Sequence, residues 1–177
     1  MMDIPTQAEV FLREAGYQTW VWTGALPAVT CFENSTIVGF LHVFGTAEDL
    51  LANWEDAQAR VLARHAAALR AAGAKAWNVY SVFLTSEQAP LLRRDVERLE
   101  EDFSLTRKIA RAGVQIIEDL GHALMPLAPI KAQPILENAS VEGRLRARAK
   151  DLPPLALQAF LGAANPAEVA EILGSRS

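Results

Sequence analysis

Residues 76–84 read AWNVYSVFL, nine consecutive residues without a charge, rich in aromatic and β-branched side chains, between Gly73 and Thr85-Ser86. A run of that length and composition predicts a strand. Because it is apolar at successive positions, both of its faces need cover, which places it in the middle of a sheet. Immediately upstream, Leu50, Trp54, Val61, Leu62, His65 and Leu69 fall at helical spacing through about residue 72. Thr46 is an N-cap with Asp49 three positions on, and Gly73 is a stop, so the spacing predicts one long amphipathic helix over 47–72. A long amphipathic helix followed by a doubly covered strand is the signature of a packed α/β layer structure.

Working outward towards the amino terminus, residues 17–22, 28–32 and 36–44 are strand-like runs broken by Thr23-Gly24, Pro27 and Glu33-Asn34-Ser35. The last break has the length and polarity of a hairpin turn, which predicts an antiparallel meander. Ile4, Ala8, Phe11, Leu12 and Ala15 fit a short helix ended by Gly16. Towards the carboxyl terminus, Leu92, Val96, Leu99 and Phe103 predict a helix that starts near Pro90, which suits a first helical turn. A short strand within 106–113 and a helix over 114–124, stopped by Pro126 and Pro129, follow. The predicted fold class is therefore α/β, of the α+β type. It has a mainly antiparallel sheet of about four or five strands, the long helix packed on it, and a helical C-terminal tail. From Lys131 the texture changes, with Pro134, Pro153 and Pro154 dividing segments at 141–150, 155–161 and 166–173 that read as short helices. The expected organisation is a core domain over 1–130 and a helical appendage over 131–177.

Composition limits the chemistry. The chain has 177 residues, 51% of them hydrophobic, a net charge of −4 and a single cysteine, Cys31. A packed core is attainable, and neither a disulfide framework nor a multi-thiolate zinc site can be built from one thiol. Charge by segment is −3 over 1–75, −2 over 76–120 and +1 over 121–177, which disfavours strong autonomous binding to nucleic acid. Arginine outnumbers lysine 13 to 4 beside 31 alanines, a skew that a GC-rich bacterial genome explains without function. The first residues, MMDIPTQ, lack a basic segment followed by an apolar run, and no uncharged stretch has the make-up of a membrane span. The expected location is cytoplasmic.

Catalytic motifs are missing. There is no Gly-Lys-Ser or Gly-Lys-Thr phosphate loop, no Gly-x-Gly-x-x-Gly after a strand and no Gly-x-Ser-x-Gly elbow. His42, His65 and His122 are not at metal-ligand spacing from one another or from an acidic residue on one helix face. His42 and His65 read as hydrogen-bonded structural residues and Cys31 as a small core residue. Trp20, Trp22, Trp54 and Trp77 lie in apolar runs with little basic interleaving, so they read as core rather than as base-stacking platforms. No catalytic residue, metal ligand or cofactor-binding residue is assigned, and no cofactor is expected.

Two charged features stand out. Glu100, Glu101 and Asp102 close a predicted helix, where carboxylates oppose the helix dipole, and Arg107, Lys108 and Arg111 follow closely. The two clusters are either a specificity surface or mutual compensation through local ion pairs. Further on, Arg144, Arg146, Arg148 and Lys150 form one concentrated basic feature. It is either a solvated helix face or a contact for phosphate or an acidic partner.

The segments 76–80 (AWNVY), 82–85 (VFLT), 99–103 (LEEDF) and 106–111 (TRKIAR), continued by Asp119-Leu120 and 123–127 (ALMPL), resemble the middle component of bacterial ABC-three-component antiphage systems, the group that includes Lamassu. The similarity is best over 35–130. It implies a protein that works with a Rad50/SMC-like ABC ATPase and an effector, often a nuclease, with the enzymatic activity in those subunits and DNA reached only through the complex. The resemblance puts partner contacts at Asn78, Tyr80, Glu101, Asp102, Arg107 and Lys108. The implied function is a non-enzymatic accessory subunit linking the ATPase to the effector. The alternatives are a small metal-dependent nuclease or hydrolase using Glu101, Asp102 and Lys108, and a DNA-binding module centred on 144–150.

Overall fold

The computed structural model describes residues 2–129, 154–162 and 165–174. The chain divides into two units, residues 1–130 and 131–177. In the first, α1 (Ile4–Glu14) leads into β1 (Gln18–Trp22), β2 (Val29–Glu33) and β3 (Val38–Phe44). Next come α2 (Ala47–Ala71), β4 (Val79–Thr85), α3 (Arg93–Arg98), β5 (Arg107–Arg111) and α4 (Ile117–Leu124). In the second, α5 (Pro154–Leu161) and α6 (Pro166–Gly174) pack against each other. The predicted segment 141–150, with Arg144, Arg146, Arg148 and Lys150, lies outside the described residues.

The five strands form one sheet in the order β1-β2-β3-β4-β5. The meander β1-β2-β3 is antiparallel, as its turn chemistry predicts. Asn34 Oδ1 accepts from the amides of Thr36 and Ile37, both at 2.8 Å, and so fixes the β2–β3 turn. β3–β4 and β4–β5 are parallel, so the sheet is mixed rather than mainly antiparallel. The reason is connectivity: a hairpin joins antiparallel neighbours, whereas α2 carries the chain back to the starting end before β4 begins, and parallel pairing requires such a crossover.

Helices cover both faces. On one, α1 and α4 enclose Phe32, Leu41, Val82, Leu84 and Ile109. On the other, α2 covers Phe40, Val79 and Cys31 with Val61, and Trp54 packs with Phe44, Phe83 and Val96 of α3. β4 is the central strand read from its composition, buried at every position except the half-buried Tyr80. Thr46 Oγ accepts from the Asp49 amide at 3.0 Å and starts α2 as expected. Gly39 sits opposite Phe32 across β2–β3, and a Cβ there would lie 2.1 Å from the Phe32 ring. The absence of a side chain at that position is what lets the fully buried Phe32 ring lie over the neighbouring strand.

Two elements are shorter than the apolar spacing predicts. The helix expected from Pro90 to Phe103 is α3 alone, followed by a 3-10 turn at Leu99–Glu101. The run at 76–84 enters the sheet only at Val79, because Gly73–Trp77 is a 3-10 turn. The expected short strand within 106–113 is β5, an edge strand. Glu100 folds back over it: Oε1 accepts the amide of Ala110 at 3.0 Å and also binds the guanidinium of Arg111.

Candidate functional site

Because β3, β4 and β5 run parallel, the segments that precede them converge on one end of the sheet. These are the β2–β3 turn, the 3-10 turn Gly73–Trp77 and the loop 102–106. All six residues assigned by resemblance to partner contacts belong to this region, and the structure sorts them by the face each occupies. Tyr80 and Arg107 are register partners in β4–β5. The Arg107 guanidinium carbon lies 5.9 Å from the centre of the Tyr80 ring, and Nη1 donates to the phenol oxygen at 3.3 Å. Arg107 is exposed and Tyr80 half-buried, so the pair presents a cation and an aromatic edge together.

Lys108, one residue on, points the other way. Its side chain is fully buried, with Nζ donating to the carbonyls of Asp102 and Ser104, both at 2.8 Å, and of Thr106 at 3.3 Å. Asp102 Oδ1 lies 3.3 Å away, and the Trp54 ring centre is 5.3 Å from the ammonium. Strand alternation accounts for this: adjacent residues of a strand face opposite sides of the sheet. Lys108 is therefore withdrawn from the face that Arg107 occupies and holds the 102–106 loop instead.

The acidic residues divide in the same way. Glu101 is exposed at the end of its 3-10 turn. Asp102 accepts from the Ser104 hydroxyl and from the Ser104 amide at 2.7 Å. These bonds, the hydroxyl first, hold its carboxyl below the usual carboxylate range, with a smaller contribution from Lys108. Two of the three local compensations expected from sequence are present, Lys108 with Asp102 and Arg111 with Glu100. Arg107 goes to Tyr80 instead. Asn78 Nδ2 donates to the Thr36 carbonyl at 3.1 Å, while its buried Oδ1 has no partner.

Sequence reasoning missed the apolar part of this end. Trp77 is 89% exposed, Phe103 78% and Leu105 73%. Trp77 reads as core because it adjoins the β4 run, and Phe103 because it continues the α3 spacing, yet both lie beyond the element that would have buried them. Leu105 has φ 66°, a left-handed conformation uncommon for a branched side chain. Trp20 is likewise 38% exposed on the edge strand β1, so among the tryptophans only Trp54 is buried.

The opposite end of the sheet carries two cavities. One, of about 270 Å³, lies between α2 and the β1–β2 connection, with His42 in its wall. His42 is buried beside Phe44 and Phe83, its Nε2 has no partner, and burial pushes its pKa down to about 4. His65 rests against Trp22 and Phe40, with Nε2 again unpartnered. Its pKa is lowered by burial first and Arg64 second. Both imidazoles pack against aromatic rings, and their Nε2 atoms do not make the hydrogen bonds expected for them. Cys31 is fully buried and its thiol is pushed up to about 12 by burial, which suits a core residue. The second cavity, of about 360 Å³, lies at the carboxyl ends of β4 and β5.

Among the described residues no group of three or more His, Cys, Asp or Glu is placed to hold a metal ion, and no helix is long and apolar enough to cross a membrane. The chain matches no protein-family model, no curated protein and no solved structure.

Proposed function

We propose that this chain is a non-enzymatic accessory subunit of a cytoplasmic antiphage complex, docking on a Rad50/SMC-like ABC ATPase and linking it to an effector nuclease. The observation that carries this reading is the amino end of the parallel strands, where Trp77, Phe103 and Leu105 are exposed at the same end of the sheet as the Tyr80–Arg107 pair. Large aromatic side chains and arginine are the residues that dominate protein interfaces, and exposing them in water has no benefit to the isolated chain. Lys108 supports the same reading against the hydrolytic alternative. Its ammonium is committed to three carbonyls and Asp102, so the Glu101–Asp102–Lys108 cluster has no free cation to offer a substrate.

Co-expression with a Rad50/SMC-like ABC ATPase and an effector nuclease from its flanking genes tests the proposal, and flanking genes that encode neither overturn it. A stable complex is expected on affinity purification followed by gel filtration, and Arg107→Glu is expected to weaken it. Failure of the three chains to co-purify overturns the assignment. Calorimetric titration with magnesium or manganese is expected to give no binding heat, and a stoichiometric site would favour the metal-dependent nuclease instead.

A further inference from the structure

The 360 Å³ cavity lies where the parallel strands β4 and β5 end, between the β4–α3 connection, the residues that follow β5, and α4. The strand order runs β1-β2-β3-β4-β5 without a reversal, so this crevice is formed by the loops and α4 rather than by a switch in strand order. The volume is at the small end of the range for ligand sites, roughly 300–1,000 Å³.

Its wall has a definite charge. Arg93, Arg111 and His122 contribute to it, and Asp119 is its one carboxylate among the described residues. Asp119 is already engaged: Oδ2 accepts the amides of Gln115 at 3.0 Å and Ile116 at 3.1 Å, and those bonds hold its pKa below the usual range. It stays ionised, but its Oδ2 is turned to those two amides, and the arginines make their ion pairs with Glu97 and Glu100 instead. Each guanidinium is anchored by one nitrogen and keeps the others. Arg93 uses Nε on Glu97 at 2.9 Å. Arg111 uses Nη1 on Glu100 and on the carbonyl of Ala110 at 2.7 Å. Neither Glu97 nor Glu100 lines the cavity. The result is two guanidiniums on one small cavity, each with nitrogens that make no bond among the described residues. Ala89, Pro90 and Val114 supply an apolar wall beside them. The floor is fastened by the Val114 amide, which donates to the carbonyl of Thr85 at 3.1 Å and joins the ends of the two strands.

We propose that this cavity binds a small organic oxyanion, its phosphate or carboxylate held by Arg93 and Arg111 and its carbon skeleton resting on Pro90 and Val114. Guanidinium groups match both oxyanions through paired, charge-assisted hydrogen bonds. Glu100 and the Ala110 carbonyl hold the Arg111 guanidinium before the ligand arrives, which reduces the ordering cost of binding. The site is separate from the proposed docking end and does not depend on the identity of any partner.

The test uses the full chain, with thermal unfolding and calorimetry in inorganic phosphate, glycerol phosphate and succinate, each against sodium chloride at matched ionic strength. A ligand that binds only the folded chain raises the unfolding midpoint in proportion to occupancy. The expected result is a midpoint increase above the chloride control. Arg93→Gln is expected to weaken the apparent Kd by about tenfold, the size of losing one charge-assisted bond. Arg13→Gln, on α1 and absent from the cavity wall, is expected to match the unaltered chain. A response to phosphates alone identifies a phosphate ester, and a response to succinate alone a carboxylate. Arg111→Gln also removes the partner of Glu100 and is expected to lower stability, so Arg93→Gln, whose side chain is 69% exposed, carries the decision. Equal affinity in Arg93→Gln, or no midpoint change beyond chloride for any of the three anions, overturns the proposal.

Discussion

Gln58 on α2 and Thr106 at the head of β5 are joined side chain to side chain: Thr106 Oγ lies 2.7 Å from Gln58 Oε1, and both residues are buried. Ser81 Oγ, on β4, is 3.0 Å from the same hydroxyl. With one proton on each hydroxyl, Thr106 donates to the glutamine oxygen and accepts from Ser81. This chain of polar contacts spans α2, β4 and β5 beneath the long helix, and in a low-dielectric interior each member depends on the others.

Gln58→Ala is accordingly expected to destabilise the fold by about 1–3 kcal/mol, the cost of leaving a buried hydroxyl without its acceptor. Combining it with Thr106→Val is expected to cost less than the sum of the single changes. The coupling, read from urea denaturation of all four proteins in a double-mutant cycle, is expected to exceed about 0.5 kcal/mol.

Arg107 and Lys108 are adjacent but respond to different assays. Lys108→Met removes the donor to three loop carbonyls and is expected to lower stability by about 1–3 kcal/mol. Arg107→Glu is expected to change stability by no more than about 1 kcal/mol while reducing complex formation. Thermal melts beside co-purification separate the two; equal destabilisation by both would contradict the opposite facing of the residues.

Trp77→Ser and Phe103→Ser touch side chains that are mostly in water. Each is expected to leave the unfolding midpoint of the isolated chain nearly unchanged, within about 0.5 kcal/mol, and to reduce recovery of the assembled complex.

Gly39→Ala places a methyl group against the buried ring of Phe32 and is expected to cost about 1–3 kcal/mol through overpacking. The paired change Gly39→Ala with Phe32→Leu is expected to recover part of that loss in the same denaturation measurement.

Acid sensitivity follows from His42. Its imidazole stays neutral in the folded chain down to about pH 4, whereas in the unfolded chain it takes up a proton near its ordinary value of 6.5. Between those values the unfolded state binds more protons, so stability falls as pH falls. The contribution is complete above about pH 6.5 and is lost progressively towards pH 4, a window worth roughly 3 kcal/mol. His65 shifts in the same direction. His42→Phe keeps an aromatic ring against Phe44 and Phe83 and is expected to flatten the stability profile between pH 4 and 6.5.

What was legible in the sequence is what is encoded locally. The capped start of α2, its helical spacing, the Asn34 turn and the doubly covered β4 each depend on residues close together in the chain. The parallel pairing of β4 and β5 is a long-range property, although a helix lying between two strands already implies a crossover. Trp77 and Phe103 misled because the apolar pattern extends outside the hydrogen-bonded element, the first preceding β4 and the second following α3 and its 3-10 turn. The separation of Arg107 from Lys108 was readable in principle, since a strand over 106–113 puts neighbours on opposite faces. Glu100, unlike Glu101, could not have been singled out, because its role depends on a backbone amide ten residues away on an edge strand.

That carboxylate has a consequence for how copies of the protein behave at high concentration. An open sheet edge is a template for another strand, and many chains guard theirs with charge. By occupying the outward amide of Ala110 and binding Arg111, Glu100 removes a donor that an incoming strand would need and puts an ion pair in its path. Growth of the sheet from β5 into a runaway stack is blocked at that point. At that point on the edge, a neighbouring molecule meets side chains rather than an open backbone amide.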